Sequence, residues 1–143
     1  MAGENTRYVL TLNREQARAV CTALELHARL GMGQFEEIHP LWMSRKGYDR
    51  EVAVDAIRML KAASGLSQDG YLGAGSPELP EACKVSWDIY QVLRREIARM
   101  EGHPSTSVWH HDPLRESLQP LPTVETKSPF GKSSKSKGTR KGR

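Results

Sequence analysis

Apolar residues recur at helical spacing in three long segments of the chain. The first follows Asn13, whose spacing to Gln16 predicts a helix-starting capping box, and ends at Gly31 and Gly33. The second covers residues 50–63 behind a predicted cap at Asp49. The third covers residues 80–101, where Pro80 is compatible with a first helical turn. The spacing therefore predicts three long amphipathic helices.

Each of these segments carries a continuous apolar face. The first face consists of Ala17, Val20, Cys21, Leu24 and Ala28. The second consists of Val52, Ala56, Met59 and Leu60. The third consists of Ala82, Val85, Ile89, Val92, Leu93, Ile97 and Met100.

The segments between and before these helices give weaker signals. Residues 34–43 predict a shorter helix that Pro40 splits or kinks. Residues 64–80 are rich in glycine and proline and predict a long loop. Residues 8–12 read Tyr-Val-Leu-Thr-Leu, which predicts a short β-strand. Because one strand is unstable alone, it would pair with a strand not evident here or with a partner chain, or else be an extended lead-in.

These elements predict a mostly α fold: a small helical domain of three to four helices, one short N-terminal β-strand and a disordered C-terminal tail. We expect one globular domain over residues 1–126, with an extended segment from about residue 103. Residues 127–143 consist mainly of Lys, Ser, Gly, Thr and Arg, with too few apolar side chains to offset the entropy of ordering, and we expect them to be disordered.

The charge of the chain is divided between the body and this tail. The tail holds seven Lys or Arg residues and no Asp or Glu, whereas the other 126 residues hold 14 Lys or Arg and 17 Asp or Glu. The sequence pI near 9.2 therefore reflects the tail rather than a basic domain. Seven cations interleaved with Ser and Gly are suited to phosphate contacts, to an acidic protein surface, or simply to solubility.

The sequence contains no recognisable catalytic or metal-binding motif. His103, His110, His111 and Asp112 have metal-ligand side chains, but the adjacent histidines would diverge and the segment contains no Cys, so we predict no metal site. The two cysteines, Cys21 and Cys83, lie in helical patterns and are expected to be buried, reduced thiols. The prediction is a non-enzymatic protein without cofactors.

Residues 10–17 (Leu-Thr-Leu-Asn-Arg-Glu-Gln-Ala) and 23–38 (Ala-Leu-Glu-Leu-His-Ala-Arg-Leu-Gly-Met-Gly-Gln-Phe-Glu-Glu-Ile) resemble a group of small accessory proteins encoded by tailed phages and prophages. Residues 108–122, with Asp-Pro-Leu followed by Gln-Pro-Leu-Pro, also resemble the end of such proteins. The resemblance implies an accessory protein in the bacterial host cytoplasm. It supplies no functional residues.

Two functions follow as expectations. The first is binding to a bacterial host or phage protein and modulation of that protein, with no membrane involvement and with possible self-association through the N-terminal strand. Its candidate residues are Gly31, Gly33, Gln34, Phe35, Glu36 and Glu37. The alternative is a nucleic-acid-associated protein whose tail contacts phosphates. Its candidate residues are Lys127, Lys132, Lys135, Lys137, Arg140, Lys141 and Arg143.

Overall fold

The computed structural model describes residues 7–102 and 112–127, and its regular structure there is entirely helical. The α-helices are α1 (Arg14–Gly31), α2 (His39–Trp42), α3 (Arg50–Ala63) and α4 (Glu81–Glu101). A short 3-10 helix, Phe35–Ile38, leads into α2. The prediction of a mostly α fold with three to four helices is confirmed, and the described residues contain four α-helices. Pro40 lies in the first turn of α2, so the predicted split of this segment falls just before the proline.

The predicted strand at residues 8–12 is wrong. These residues have no regular secondary structure, and Tyr8 and Val9 are almost fully exposed. The β-type side chains here are favourable for a strand, but a strand also needs a hydrogen-bonded neighbour. No strand occurs anywhere in residues 7–102 or 112–127, so this neighbour is missing within the part of the chain described.

Local side-chain contacts explain where the helices begin and end. The Asn13 side chain accepts a hydrogen bond from the Gln16 amide at 2.9 Å, and the Gln16 side chain accepts one from the Asn13 amide at 3.0 Å. Asp49 accepts from the Glu51 and Val52 amides at the start of α3. Gly102 ends α4 in the left-handed conformation with φ 68°. Side-chain caps such as Asn13 and Asp49 stabilise a helix by about 1 kcal/mol each.

Helices α1 and α4 pack against each other in antiparallel directions, and we call this pair the hairpin. At one end, Gly31 of α1 lies directly against Cys83 near the start of α4. At the other end, Arg14 and Arg18 contact Glu101 at 3.0 and 2.7 Å. The two helices therefore cross the molecule side by side over their full length.

The buried core lies at the end of the hairpin where α1 finishes and α4 starts. It consists of Ala28, Met32, Leu79 and Cys83, with Leu72, Ala74 and Trp87 packed against it. The Leu72 amide donates to the Met32 carbonyl at 2.8 Å, which holds the long 64–80 loop over this core. The loop itself was predicted as irregular, and it is.

Residues 112–127 run along α4 and are fastened to it by Asp88. This carboxylate is only 2 % exposed. It accepts hydrogen bonds from the amides of Glu116 and Ser117 at 2.9 and 3.0 Å and from the Ser117 hydroxyl at 2.6 Å. Three donors satisfy a charge that would be costly to bury alone. We call residues 112–127 the strap.

Helix α3 belongs to a second region, which we call the arm: the 3-10 helix, α2 and α3. The arm joins the hairpin mainly through the 3-10 helix, which contacts both α1 and α3. Within residues 7–102 and 112–127, no helix is long and apolar enough to cross a lipid bilayer.

Candidate protein-binding surface

The apolar face of α3 points into solvent instead of into the protein. Val52 is 65 % exposed and Met59 is 73 % exposed, which are high values for large apolar side chains. We call this face the α3 stripe, and its members are Val52, Ala56, Met59, Leu60 and Ala63. An exposed apolar face of this extent on a helix is a common mark of a protein-binding surface.

The opposite face of α3 explains this orientation. Ile57 and Lys61 are the residues of α3 that are buried, each 4 % exposed. The Lys61 ammonium lies 2.6 Å from a carboxylate oxygen of Glu36 in the 3-10 helix. A buried ammonium without a partner is strongly unfavourable, so this ion pair fixes which face of α3 turns inward.

The contact with Lys61 also changes the pKa of the Glu36 carboxyl. Its partial burial favours the neutral acid, but the hydrogen bond and positive charge of Lys61 outweigh that effect. The pKa of Glu36 is consequently lower than its ordinary value of 4.5. Glu36 is therefore ionised at neutral pH and available to hold Lys61.

Helix α2 and the turn after it extend the α3 stripe. Leu41, Trp42 and Met43 are all substantially exposed, and the Arg45 guanidinium lies 4.1 Å from the centroid of the Trp42 ring. Together with the α3 stripe they form what we call the α2–α3 surface. Trp and Arg are the side chains most often found at energetically dominant positions of protein interfaces.

A hollow of about 420 Å³ lies within this surface, between the α2–α3 turn and the first half of α3. Its walls include Trp42, Arg45, Tyr48, Val52, Ala53 and Ala56. Tyr48 shares a hydrogen bond with His39 of α2, which ties the turn to that helix. The hollow is also lined by Lys46, Gly47 and Asp49, so its aromatic and aliphatic walls are suited to an aliphatic side chain and its charged residues to polar groups beside that side chain.

The two glycines of the sequence-predicted binding turn have packing roles inside the chain. A Cβ atom on Gly31 would lie 2.3 Å from the Cys83 sulfur, so the hairpin needs glycine there. Gly33 has φ 85°, and a Cβ atom on it would lie 2.2 Å from a Leu66 methyl carbon. Gly33 is buried, so its backbone is not exposed to a partner.

The polar residues of that turn contact neighbouring side chains. Gln34 accepts a hydrogen bond from Arg29 at 2.7 Å, and Glu37 lies 3.5 Å from the same arginine. Glu36 holds Lys61, and Phe35 is partly buried. These contacts account for the turn's composition. Protein binding by these residues stays a prediction that no contact described here tests.

The candidate nucleic-acid residues lie almost entirely beyond the described chain. Lys127 is described and exposed. The remaining six, Lys132, Lys135, Lys137, Arg140, Lys141 and Arg143, lie outside the described residues. Their predicted role is therefore unchanged by the structure.

The titratable groups between α1 and α4 form structural contacts. A ring nitrogen of His27 lies 2.8 Å from the Ser86 hydroxyl. Burial, together with the charge of Glu25, raises the pKa of Cys21 to about 11, and burial also raises the pKa of Cys83. Both cysteines are free and buried, as predicted. Thiols with raised pKa hold little reactive thiolate at neutral pH.

Metal-binding side chains do not gather in the described residues. No group of three or more His, Cys, Asp or Glu is placed to hold an ion in residues 7–102 and 112–127. His103, His110 and His111 lie outside those ranges. Asp112 lies within them and accepts a hydrogen bond from Arg95 at 2.6 Å.

Comparison with known proteins gives no assignment: no family model, no curated protein and no solved structure matches the chain.

Proposed function

We propose that this chain is a non-enzymatic accessory protein that acts by binding another protein through the α2–α3 surface. The observation that carries the proposal is the direction of the α3 stripe. Fully burying one large apolar side chain contributes about 1.5–3 kcal/mol to the free energy of association. A partner that covers Val52, Met59 and Leu60 therefore gains a favourable contribution from each of the three. This free energy is gained only when a partner covers α3, because these side chains are exposed in the chain alone.

The spacing along the α3 stripe favours a helical partner. Val52, Ala56, Met59 and Ala63 follow one another at intervals of four, three and four residues. Two helices that pack side by side interlock at this spacing. The neighbouring hollow then receives a side chain from the partner helix, in the manner of helix-in-groove recognition.

The resemblance to phage-encoded accessory proteins supports a partner from a phage or its bacterial host, and action in the host cytoplasm. We propose that binding modulates that factor. The sequence-predicted turn at residues 31–37 contacts the buried face of α3 through Glu36 and Lys61, on the side opposite the α3 stripe.

The test uses the full chain immobilised and exposed to nuclease-treated bacterial lysate, followed by binding measurements with each purified candidate. Met59→Glu places a charge at the centre of the α3 stripe. Met100→Glu is its matched control, because Met100 is an exposed methionine at the far end of α4. We expect Met59→Glu to weaken binding at least tenfold and Met100→Glu to leave it unchanged. Equal binding by both variants would contradict the proposal.

The charge division supports a second candidate function, association with nucleic acid through the tail. It predicts that DNA or RNA binding by the full chain is lost when the chain is truncated after Thr126. It also predicts a salt slope of about −0.9 for each phosphate neutralised. Binding that survives truncation, or that does not change with salt, would exclude this second function.

A further inference from the structure

We propose that the protein occupying the α3 stripe is a second copy of this chain, packed so that two α3 helices run antiparallel across a two-fold axis. The inference rests on the proposed function, because it identifies one protein that the α2–α3 surface binds. Two features of the surface carry it, the order of side-chain sizes along the stripe and the position of the hollow, and the charges on the opposite edge are compatible with it.

Side-chain sizes alternate along the seam of the α3 stripe. The order is large, small, large, small at Val52, Ala56, Met59 and Ala63. If the two-fold axis passes between positions 57 and 58 of antiparallel α3 helices, Val52 lies against Ala63 of the second copy. The same axis sets Ala56 against Met59 of the second copy. Facing layers of unlike size interdigitate without voids.

A parallel copy in register would be less favourable. It would set each methionine against a methionine and each alanine against an alanine, which produces a clash at one layer and a gap at the next. The size order therefore selects the antiparallel arrangement, which closes as a two-fold dimer.

Leu60 and the hollow meet in the same arrangement. Leu60 is about half exposed and lies on the edge of the stripe that adjoins Ala53. The two-fold axis brings Leu60 of the second copy to a height between Ala53 and Ala56, both of which line the hollow. The hollow of about 420 Å³ has ample room for this isobutyl group beside Trp42.

The other edge of the stripe has complementary charges. Asp55 and Arg58 are exposed there and pair with each other at 3.0 Å. In the register centred between positions 57 and 58, Asp55 is level with position 60 of the second copy, whose Arg58 is level with position 57. The opposite charges are therefore offset by two residues, or about 3 Å along the helix axis. Exposed pairs contribute only about 0.2–1 kcal/mol each, so these charges are compatible with the register but do not set it.

The expected dimer is weak, because α3 has 14 residues and therefore presents a contact about 21 Å long. Interfaces of small area dissociate readily on dilution. The mass of the full chain should accordingly rise with concentration from 16.0 kDa toward twice that value.

Sedimentation velocity over a concentration series tests the inference. Met59→Glu should remain monomeric throughout, and Met100→Glu should associate like the unaltered chain. Both positions are more than half exposed, so neither change should unfold the protein, and circular dichroism verifies this. A dimer that persists in Met59→Glu would overturn the inference.

Disulfide trapping tests the register. The Ala56→Cys chain is mixed with the Met59→Cys chain under mild oxidation, with a Met100→Cys pair as control. The native Cys21 and Cys83 are buried with raised pKa and should react slowly. We expect the mixed Ala56→Cys/Met59→Cys product to form at least tenfold faster than the control product, and equal rates would contradict the antiparallel packing.

The outcomes separate this inference from the proposed function. A chain that stays monomeric at every concentration, yet binds a different protein in a Met59-dependent way, refutes the self-association and leaves the proposed function standing. A chain that stays monomeric and binds no protein refutes both.

Discussion

The hairpin and the arm use their side chains in opposite ways. In the hairpin, apolar groups such as Ala28 and Cys83 turn toward the facing helix, and charged groups at the far end pair across it. In the arm, Lys61 is buried while Met59 on the same helix is exposed. The comparison teaches that a helix can be amphipathic and still present its apolar face outward, when an ion pair anchors its polar face.

We expect the hairpin contacts to determine stability and the α3 stripe to determine binding. Tyr90 illustrates the hairpin: burial, with the hydrogen bond and charge of Glu25, raises the pKa of Tyr90 to about 12, and Arg94 donates to its hydroxyl at 2.6 Å. Removal of hairpin contacts should therefore lower the free energy of unfolding. Changes on the α3 stripe should leave that quantity nearly unchanged and alter association instead.

The largest expected effect is in the hairpin, for Gly31→Val. The added side chain would overlap Cys83, whose sulfur lies 2.3 Å from the position of a Cβ atom. Overpacking of this kind costs about 1–3 kcal/mol, and we expect the upper part of that range. Urea unfolding measures it. Gly73→Val is the control, because no atom lies within 4 Å of a Cβ atom there; an equal loss in both would refute the close approach of α1 and α4.

Asp88→Ala should come next, with a loss of about 2 kcal/mol, because it leaves buried donors of the strap without an acceptor. Amide hydrogen exchange should accelerate at residues 116 and 117 well before it does in α1. Asp88→Asn keeps the size and one acceptor oxygen, and should lose less. If exchange in the strap does not change, Asp88 does not hold it.

A smaller effect is expected in the arm at acid pH. Because the pKa of Glu36 is lowered in the folded protein, its contribution is present above about pH 4.5 and is lost as the pH falls through the folded value. Amide exchange in α3 should accelerate over that range. Glu36→Gln should remove this pH dependence, and Glu78→Gln, in the exposed loop, should retain it.

The smallest expected effect on folding is that of Met59→Glu. An exposed substitution of this type changes the free energy of unfolding by about 0.5 kcal/mol or less. Thermal unfolding at low concentration measures this, where association does not contribute. A loss as large as that of Gly31→Val would mean that Met59 supports the fold rather than a partner.

Capping patterns formed by residues a few positions apart predicted the starts of the long helices well. Asn13 with Gln16, and Asp49 at the next long helix, form the expected capping bonds, and the helix bounds follow them. These signals succeed because a cap is formed by residues adjacent in sequence. The strand at residues 8–12 failed because its stability depends on a neighbour that local sequence does not reveal.

The sequence predicted the apolar face of the candidate site but not the direction in which that face points. The apolar face of residues 52–60 is apparent from spacing, but its direction depends on Lys61 finding Glu36, 25 residues earlier in the chain. The same holds for Asp88, whose donors at Glu116 and Ser117 lie 28 and 29 residues away. The available sequence signal was Lys61 itself, a charged residue opposite the apolar face, whose partner Glu36 lies in the 3-10 helix.

The most direct test of the central claim is a methionine-methyl NMR dilution series on the full chain. Met59 lies on the α3 stripe, Met32 is buried in the core, and Met100 is exposed at the far end of α4. We expect the Met59 signal to move with concentration and to saturate while the Met32 and Met100 signals stay fixed. A Met59 signal that is constant while Met100 moves, or constant spectra at all concentrations, would contradict occupation of the α3 stripe by a second copy.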